Sequence, residues 1–203
     1  MNSASWNERY AANDLVWSLE ANRWVVEVAS DLEPGRALDL AAGEGRNAIW
    51  LVEQGWEAKA VDFSEVAIER AKALAEARLG ERMPAFSATV GDATESQGAG
   101  FDLVLFSYLH LPKDEWRKAL AAGVESCTQG GRVLVIGHAR RNLTEGIGGP
   151  QNPAILYDPE HVTALLEGLP VEVERAELGR REVQTDDGPR VALDTVVVAR
   201  RLD

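Results

Sequence analysis

Ala37-Leu-Asp-Leu-Ala-Ala-Gly-Glu-Gly-Arg-Asn-Ala-Ile-Trp-Leu-Val52, followed after Gly55 by Glu57-Ala-Lys-Ala-Val-Asp62-Phe-Ser64, reads as a strand, a glycine turn, a helix and a second strand that ends in a carboxylate. The first strand, Arg36 to Leu40, is short and apolar apart from Asp39. Gly43 and Gly45 allow a tight turn and a close backbone approach that side chains would block. Asn47, Ala48, Ile49, Leu51 and Val52 follow at helical spacing, and Gly55 stops the helix. Such a unit leaves free backbone N–H groups at a helix start, beside whatever binds at the carboxyl end of the sheet.

Gly43-Glu-Gly45-Arg-Asn-Ala48 satisfies the dinucleotide pattern G-x-G-x-x-G/A, with Asp62 at a distance suited to holding a ribose. An NAD(P)-dependent oxidoreductase is therefore one reading. The charges oppose it: Asp39 enters the turn and Glu44 lies inside it, where a pyrophosphate would have to sit. An ammonium or a sulfonium suits that turn better. S-adenosylmethionine carries both, plus a ribose for Asp62.

Working outward, the chain alternates strands and helices. Ala21 to Leu32 places Trp24, Val25, Val28 and Leu32 on one helical face, and Pro34-Gly35 ends it. Ser64 caps a helix running to about Leu79 with an alanine-rich face. Met83 to Val90 is a third strand, ending in Gly91-Asp92-Ala93. Phe101 to Ser107 is a buried parallel strand, Asp114 to Ala122 a helix, Gly130-Gly131 a turn, and Arg132 to Gly137 a fifth strand. Val171 to Leu178 and Arg190 to Ala199, joined through Thr185-Asp-Asp-Gly-Pro189, form an antiparallel hairpin. The expected fold is α/β: a Rossmann-like, doubly wound, seven-stranded sheet, mainly parallel with a C-terminal antiparallel hairpin. Residues 1–203 are expected to form one domain.

Composition narrows the function. Hydrophobic residues make up 45% and charged residues 27%, as in a soluble globular protein. The net charge of −12, with 33 acidic against 21 basic side chains, disfavours a nucleic-acid substrate. No apolar run approaches the roughly 20 residues that span a bilayer, so no membrane partner is expected. The N-terminus lacks a signal-peptide pattern, and the lone Cys127, read as a small packed helix residue, fits a reducing cytoplasm. Three histidines and one cysteine show no metal-ligand spacing, so no metal is expected.

Asp39-Leu-Ala-Ala-Gly43-Glu-Gly45-Arg-Asn resembles motif I of the class I S-adenosylmethionine-dependent methyltransferases. It is most similar to the tellurite-resistance and thiopurine-methyltransferase branch, with "GEGRNA" followed by "VD-S". That family usually has Gly at the position of Ala41. Phe101-Asp-Leu-Val resembles motif IV. The resemblance implies S-adenosylmethionine as cofactor, bound by Asp39, Ala41, Gly43, Gly45, Arg46, Asn47, Asp62, Phe63, Ser64, Asp92, Ala93 and Ser107. Within that set Asp39 takes the methionyl ammonium, Asp62 the ribose, Phe63 an adenine face and Asp92-Ala93 the adenine edge.

The resemblance also implies an N-terminal arm, residues 1–32, folded over the cofactor, with Tyr10 and Trp17 toward the acceptor. The acceptor is expected to be a small molecule with a soft nucleophile, sulfur, selenium or tellurium, with O- and N-methylation equally compatible. His110, just after strand four, is the candidate base. His138 and Arg140 are candidate acceptor contacts, and His161 is read as structural. The loop His138 to Tyr157, rich in glycine, is expected to form a lid with Arg140 and Asn142 as its polar contacts. A cofactor-binding module without catalysis is the remaining alternative. Oligomeric state is not written in the sequence.

Overall fold

The computed structural model describes Trp6, Asn7, Tyr10 and residues 19–203. Its seven strands are β1 (Arg36–Leu40), β2 (Glu57–Asp62), β3 (Phe86–Val90), β4 (Phe101–Ser107), β5 (Cys127–His138), β6 (Val171–Thr185) and β7 (Gly188–Arg201). They form one sheet in the order β3-β2-β1-β4-β5-β7-β6. Pairing is parallel from β3 across to β5, and antiparallel where β7 lies between β5 and β6. The order reverses between β1 and β4, which opens a crevice at the carboxyl ends of those strands.

Alternation along the strands builds a core on each face of the sheet. Leu103, Leu105, Leu134, Ile136, Val196 and Val198 meet α1 (Arg23–Ala29), α2 (Arg46–Glu53) and α3 (Glu65–Leu79). Val104, Phe106, Val133, Val135 and Val197 meet α4 (Lys113–Ser126) and α6 (Pro159–Leu166). Asp39 lies one residue from Leu38 and Leu40, so it faces the first of these layers with Ala37. It is the acid in an otherwise apolar strand.

Several boundaries differ from the sequence reading. Met83 to Ala85 belongs to a 3-10 turn, so β3 starts only at Phe86. β5 begins at Cys127, because Gly130 with φ 78° and an irregular register opposite β4 carry the strand through the expected turn. Cys127 thus stands at the start of that strand, not within a helix. α1 is shorter than the expected span, and α4 is longer. Hairpin strands β6 and β7 extend to a turn at Asp186-Asp187, far beyond their apolar segments. The expected loop after β5 contains a short helix, α5 (Asn142–Glu145), and a 3-10 turn at Pro153–Ile155. Among the described residues, no helix is long and apolar enough to cross a membrane.

Candidate functional site at the carboxyl edge of the sheet

Two polar assemblies occupy this edge. The first is the glycine turn between β1 and α2. Ala41, Gly43 and Gly45 all have positive φ, 60°, 56° and 75°, which folds the chain back before α2 starts. The alanine holds the left-handed conformation for which glycine is the usual residue, at a steric cost of about 1–2 kcal/mol. Gly45 also brings the turn against α3: a Cβ there would come within 3.0 Å of the Ala71 Cβ. Its role is therefore packing as much as backbone conformation.

Asp62 binds this turn to β2. Its Oδ2 accepts the Gly43 N–H at 2.8 Å and its Oδ1 accepts the Ser64 N–H at 2.9 Å. Both oxygens retain further acceptor capacity for a hydroxyl pair. Phe63 beside it is exposed. Ser64 is fully buried; its hydroxyl caps α3 by accepting the Ala67 N–H and donates to Asn7 Oδ1 at 2.5 Å. It is a cap and an anchor for the preceding segment, not an open contact.

Asn47, also expected to meet the cofactor, instead accepts the Asn22 N–H at 2.9 Å, and Asn22 in turn caps α1. Asp92 is exposed and uses Oδ1 to accept from the Thr94 backbone and hydroxyl, with Ala93 partly buried against the second core layer. Arg46 is largely buried, and burial holds its pKa below the ordinary arginine value. Ser107 closes β4 and is half-buried.

The acidic turn is less acidic than its sequence. Glu44 is buried but ion-paired at 3.0 Å with Arg70 of α3, so it does not face an incoming ligand as an uncompensated charge. Asp39 does. Both of its carboxylate oxygens are buried, and neither is in a well-formed hydrogen bond. Burial, opposed by Arg46 and by the Ala48 backbone N–H and reinforced by Asp62, pushes its pKa up to about 7. A buried carboxylate without donors is costly unless something supplies them.

The second assembly includes His110 and His138, but its centre, Asp194, was not singled out from the sequence. Asp194 of β7 is fully buried, and its Oδ2 accepts from Trp24 Nε1 at 3.1 Å, the Tyr108 hydroxyl at 3.0 Å and Arg181 Nε at 2.8 Å. Trp24 can reach it because Gly179 of β6 has no side chain: a Cβ there would fall 2.3 Å from the indole. Tyr108 sits just past β4 with φ 58°, a strained conformation for a bulky residue and one that clusters at functional sites. Burial lifts its pKa to about 12. His110 stacks on His138 with ring centroids 5.6 Å apart and planes 8° apart. Burial, with the neighbouring His138, holds the His110 pKa down at about 4. A lone acid in the run Leu193-Asp-Thr-Val-Val-Val is the sequence signal that could have found Asp194.

Of the expected acceptor contacts, His138 joins this cluster at 4.7 Å from the Tyr108 ring. Arg140 does not; it is exposed, and none of the cluster's bonds includes it. Asn142 is buried and pins the following loop, donating to the carbonyls of Ile147 and Gly148 and accepting the Leu193 N–H. It tethers that loop to β7. His161 accepts the Asp158 N–H through Nδ1 and completes the cap of α6. Tyr10 is buried with its ring 5.6 Å from that of Trp6; Trp17 and the stretch 11–18 of the expected arm lie outside the described residues.

Residues 37–131 match a family model described as a methyltransferase domain. The matched stretch takes in the glycine turn, β2 and β4. Glycine N-methyltransferase from Oryctolagus cuniculus is 31% identical over 137 residues, covering 59% of this chain and 45% of that enzyme. The chain thus spans less than half the length of the curated relatives it matches.

The fold extends over the whole domain. A protein from the conversion of a disulfide bond into a thioacetal group during echinomycin biosynthesis superposes with a TM-score of 0.79 at 19% identity, over 98% of this chain and 91% of the other. The 1,6-didemethyltoxoflavin-N1-methyltransferase of Burkholderia thailandensis, solved with S-adenosylhomocysteine, gives 0.72 at 22% identity over 99% and 87%. TehB from Haemophilus influenzae gives 0.70 at 17% identity over 98% and 66%. S-adenosylmethionine is the cofactor of this family, and a turn with an orphaned buried carboxylate beside a ribose-competent acid fits it.

Proposed function

We propose that residues 1–203 act as one methyltransferase domain that moves a methyl group from S-adenosylmethionine to a small molecule by in-line displacement. The observation that carries this reading is Asp39: a buried carboxylate near the end of β1, beside the glycine turn, with neither oxygen in a well-formed hydrogen bond. A methionyl ammonium supplies donors and a positive charge, whereas a pyrophosphate would add a repulsion of like charges. Asp62 is suited to the ribose through its remaining lone pairs, exposed Phe63 to an adenine face, and Asp92 with Ala93 to the adenine edge. The backbone at Gly43–Gly45 borders the methionine part, with Ala41, Arg46 and Ser107 around it. The sulfonium supplies an already activated methyl group, so the protein's task is to hold donor and acceptor in line and to keep water out.

A small acceptor is favoured by the net charge of −12 and by the names of similar proteins, which include enzymes acting on glycine and on a toxoflavin precursor. Titration calorimetry with S-adenosylmethionine and with NAD in turn tests the reading. S-adenosylmethionine should bind and NAD should not, and Asp39→Asn should weaken that binding. Binding of NAD alone would return the glycine turn to the oxidoreductases.

A further inference from the structure

We propose that His138, backed by Asp194, is the general base that takes a proton from the methyl acceptor, so that the acceptor's nucleophilic atom is one that carries a dissociable hydrogen: a phenol or enol O–H, an N–H or a thiol. The proposal rests on the methyl-transfer reading above. β5 and β7 pair antiparallel with His138 directly opposite Asp194, which sets both side chains on one face of the sheet. His138 Nδ1 lies 3.6 Å from Asp194 Oδ1 and is buried without a hydrogen-bond partner. Asp194 Oδ2 already accepts three donors, but Oδ1 has only the long 3.3 Å contact from Arg181 Nη2. The free capacity of the carboxylate therefore faces the unpartnered nitrogen.

The side chain as a whole keeps 19% of its surface open. One nitrogen toward a buried acid, on a ring that still reaches the surface at the carboxyl edge of the sheet, is the arrangement of an oriented base. His110, the base expected from sequence, differs: its Nε2 is enclosed without a partner, and burial with the neighbouring His138 holds its pKa low. The plane of the His138 ring is fixed from outside as well. Gly149, with φ 76°, lies so close that a Cβ would come 2.8 Å from the imidazole Cγ, and His110 stacks parallel.

The groups that act on its charge are Asp194 on β7, Arg181 on β6 and the stacked His110 after β4, with the Tyr108 ring packed beside it. Burial holds the His138 pKa below the usual histidine value, Asp194 opposes that, and Arg181 reinforces it. The ring is thus neutral at pH 7 and ready to accept a proton. As the acceptor's heteroatom bonds the methyl carbon, the carbon–sulfur bond breaks and its electron pair returns to sulfur. The heteroatom's proton passes to Nε2, and Nδ1–H then makes a charge-assisted bond to Asp194 before the proton leaves to water.

The test pairs two probe acceptors with nitrogen-15 NMR of the histidine rings. Phenol must lose its proton to be methylated, whereas 4-nitrothiophenol is already a thiolate at pH 7. Read as S-adenosylhomocysteine release, His138→Ala should lose about 100-fold or more on phenol and little on the thiolate, with S-adenosylmethionine affinity unchanged. In the wild type, the neutral His138 should carry its proton on Nδ1, and Asp194→Asn should lower its pKa. Equal losses on both acceptors, no methylation of phenol by cofactor-bound wild type, or an Nε2–H tautomer would each overturn the proposal. If Asp194→Asn does not fold, the wild-type tautomer still decides. Failure of the wild type to bind S-adenosylmethionine would instead sink the methyl-transfer reading.

Discussion

The glycine turn and the Asp194 cluster sit at the same edge of one sheet, yet they are built in opposite ways. The turn is local: Asp39, Gly43, Gly45 and Asp62 come from one strand–helix–strand unit, and Asp62 closes it through the Gly43 and Ser64 backbone. The cluster is assembled from distant pieces, with Trp24 reaching Asp194 across 170 positions of chain. The turn leaves its buried acid without a well-formed hydrogen bond, whereas the cluster saturates one oxygen of its acid with three. An unsatisfied group is held ready for a ligand; a satisfied one holds the protein together.

That contrast can be broken at either end. The largest effect is expected from Asp194→Ala, which leaves the Arg181 guanidinium, the Tyr108 hydroxyl and the Trp24 indole without their common acceptor. Unfolding in urea should register a loss of about 3–5 kcal/mol. A loss below about 1 kcal/mol would mean that the cluster is not structural.

Asp39→Asn should do the reverse, weakening S-adenosylmethionine while stabilising the ligand-free protein. The sign follows from its pKa, raised from 3.8 to about 7 by burial. The folded protein then holds the proton more tightly than the unfolded chain. The resulting stability is fully present below about pH 4 and is lost as pH rises toward 7, by ~4 kcal/mol at most. His110 acts oppositely: its pKa, lowered from 6.5 to about 4, gives stability that is complete above 6.5 and lost as pH falls toward 4. The two slopes offset each other in the wild type. The advantage of Asp39→Asn over wild type should therefore widen from pH 4 to 7 in thermal melts. A constant difference would remove the burial argument.

Gly45→Val tests the packing role of the turn, placing a branched side chain at φ 75° against Ala71. A cost of roughly 2 kcal/mol is expected in urea unfolding. Smallest of all, Ala41→Gly relieves a left-handed alanine but frees the unfolded chain, so the two terms nearly cancel. A shift in stability beyond about 1 kcal/mol in either direction would show that the methyl group does more than strain the turn.

The same contrast explains what the sequence could convey. β1 and β2 are bounded as read, because a short apolar run, a glycine turn and a terminal acid are local patterns. The mainly parallel sheet with its antiparallel end follows from strand–helix alternation and from a hairpin with no helix inside it. Glu44 misled, since its partner Arg70 lies on the next helix and nothing local announces the pair. Asn47, Ser64 and Asn142 also bond the protein's own backbone, a second use that no local pattern announces. Tyr108 was illegible because a left-handed conformation is signalled by glycine, not by a ring. The long polar outer parts of β6 and β7 lack an apolar pattern and are strands only because they pair with each other.

The place of β7 in the sheet also sets a timetable for synthesis. β6 leaves the ribosome first, yet its only neighbour in the sheet is β7, and β7 alone connects it to β5. Until β7 emerges, the outer edge of β5 is an open row of backbone donors and acceptors, β6 has nothing to pair with, and the Trp24 indole, made long before, waits for Asp194. The nascent chain can complete its glycine turn early, but the face with His138 closes only when the last strand slides between two others. A pause in translation shortly before residue 188 would expose that edge for longer and should raise the yield of aggregated chain.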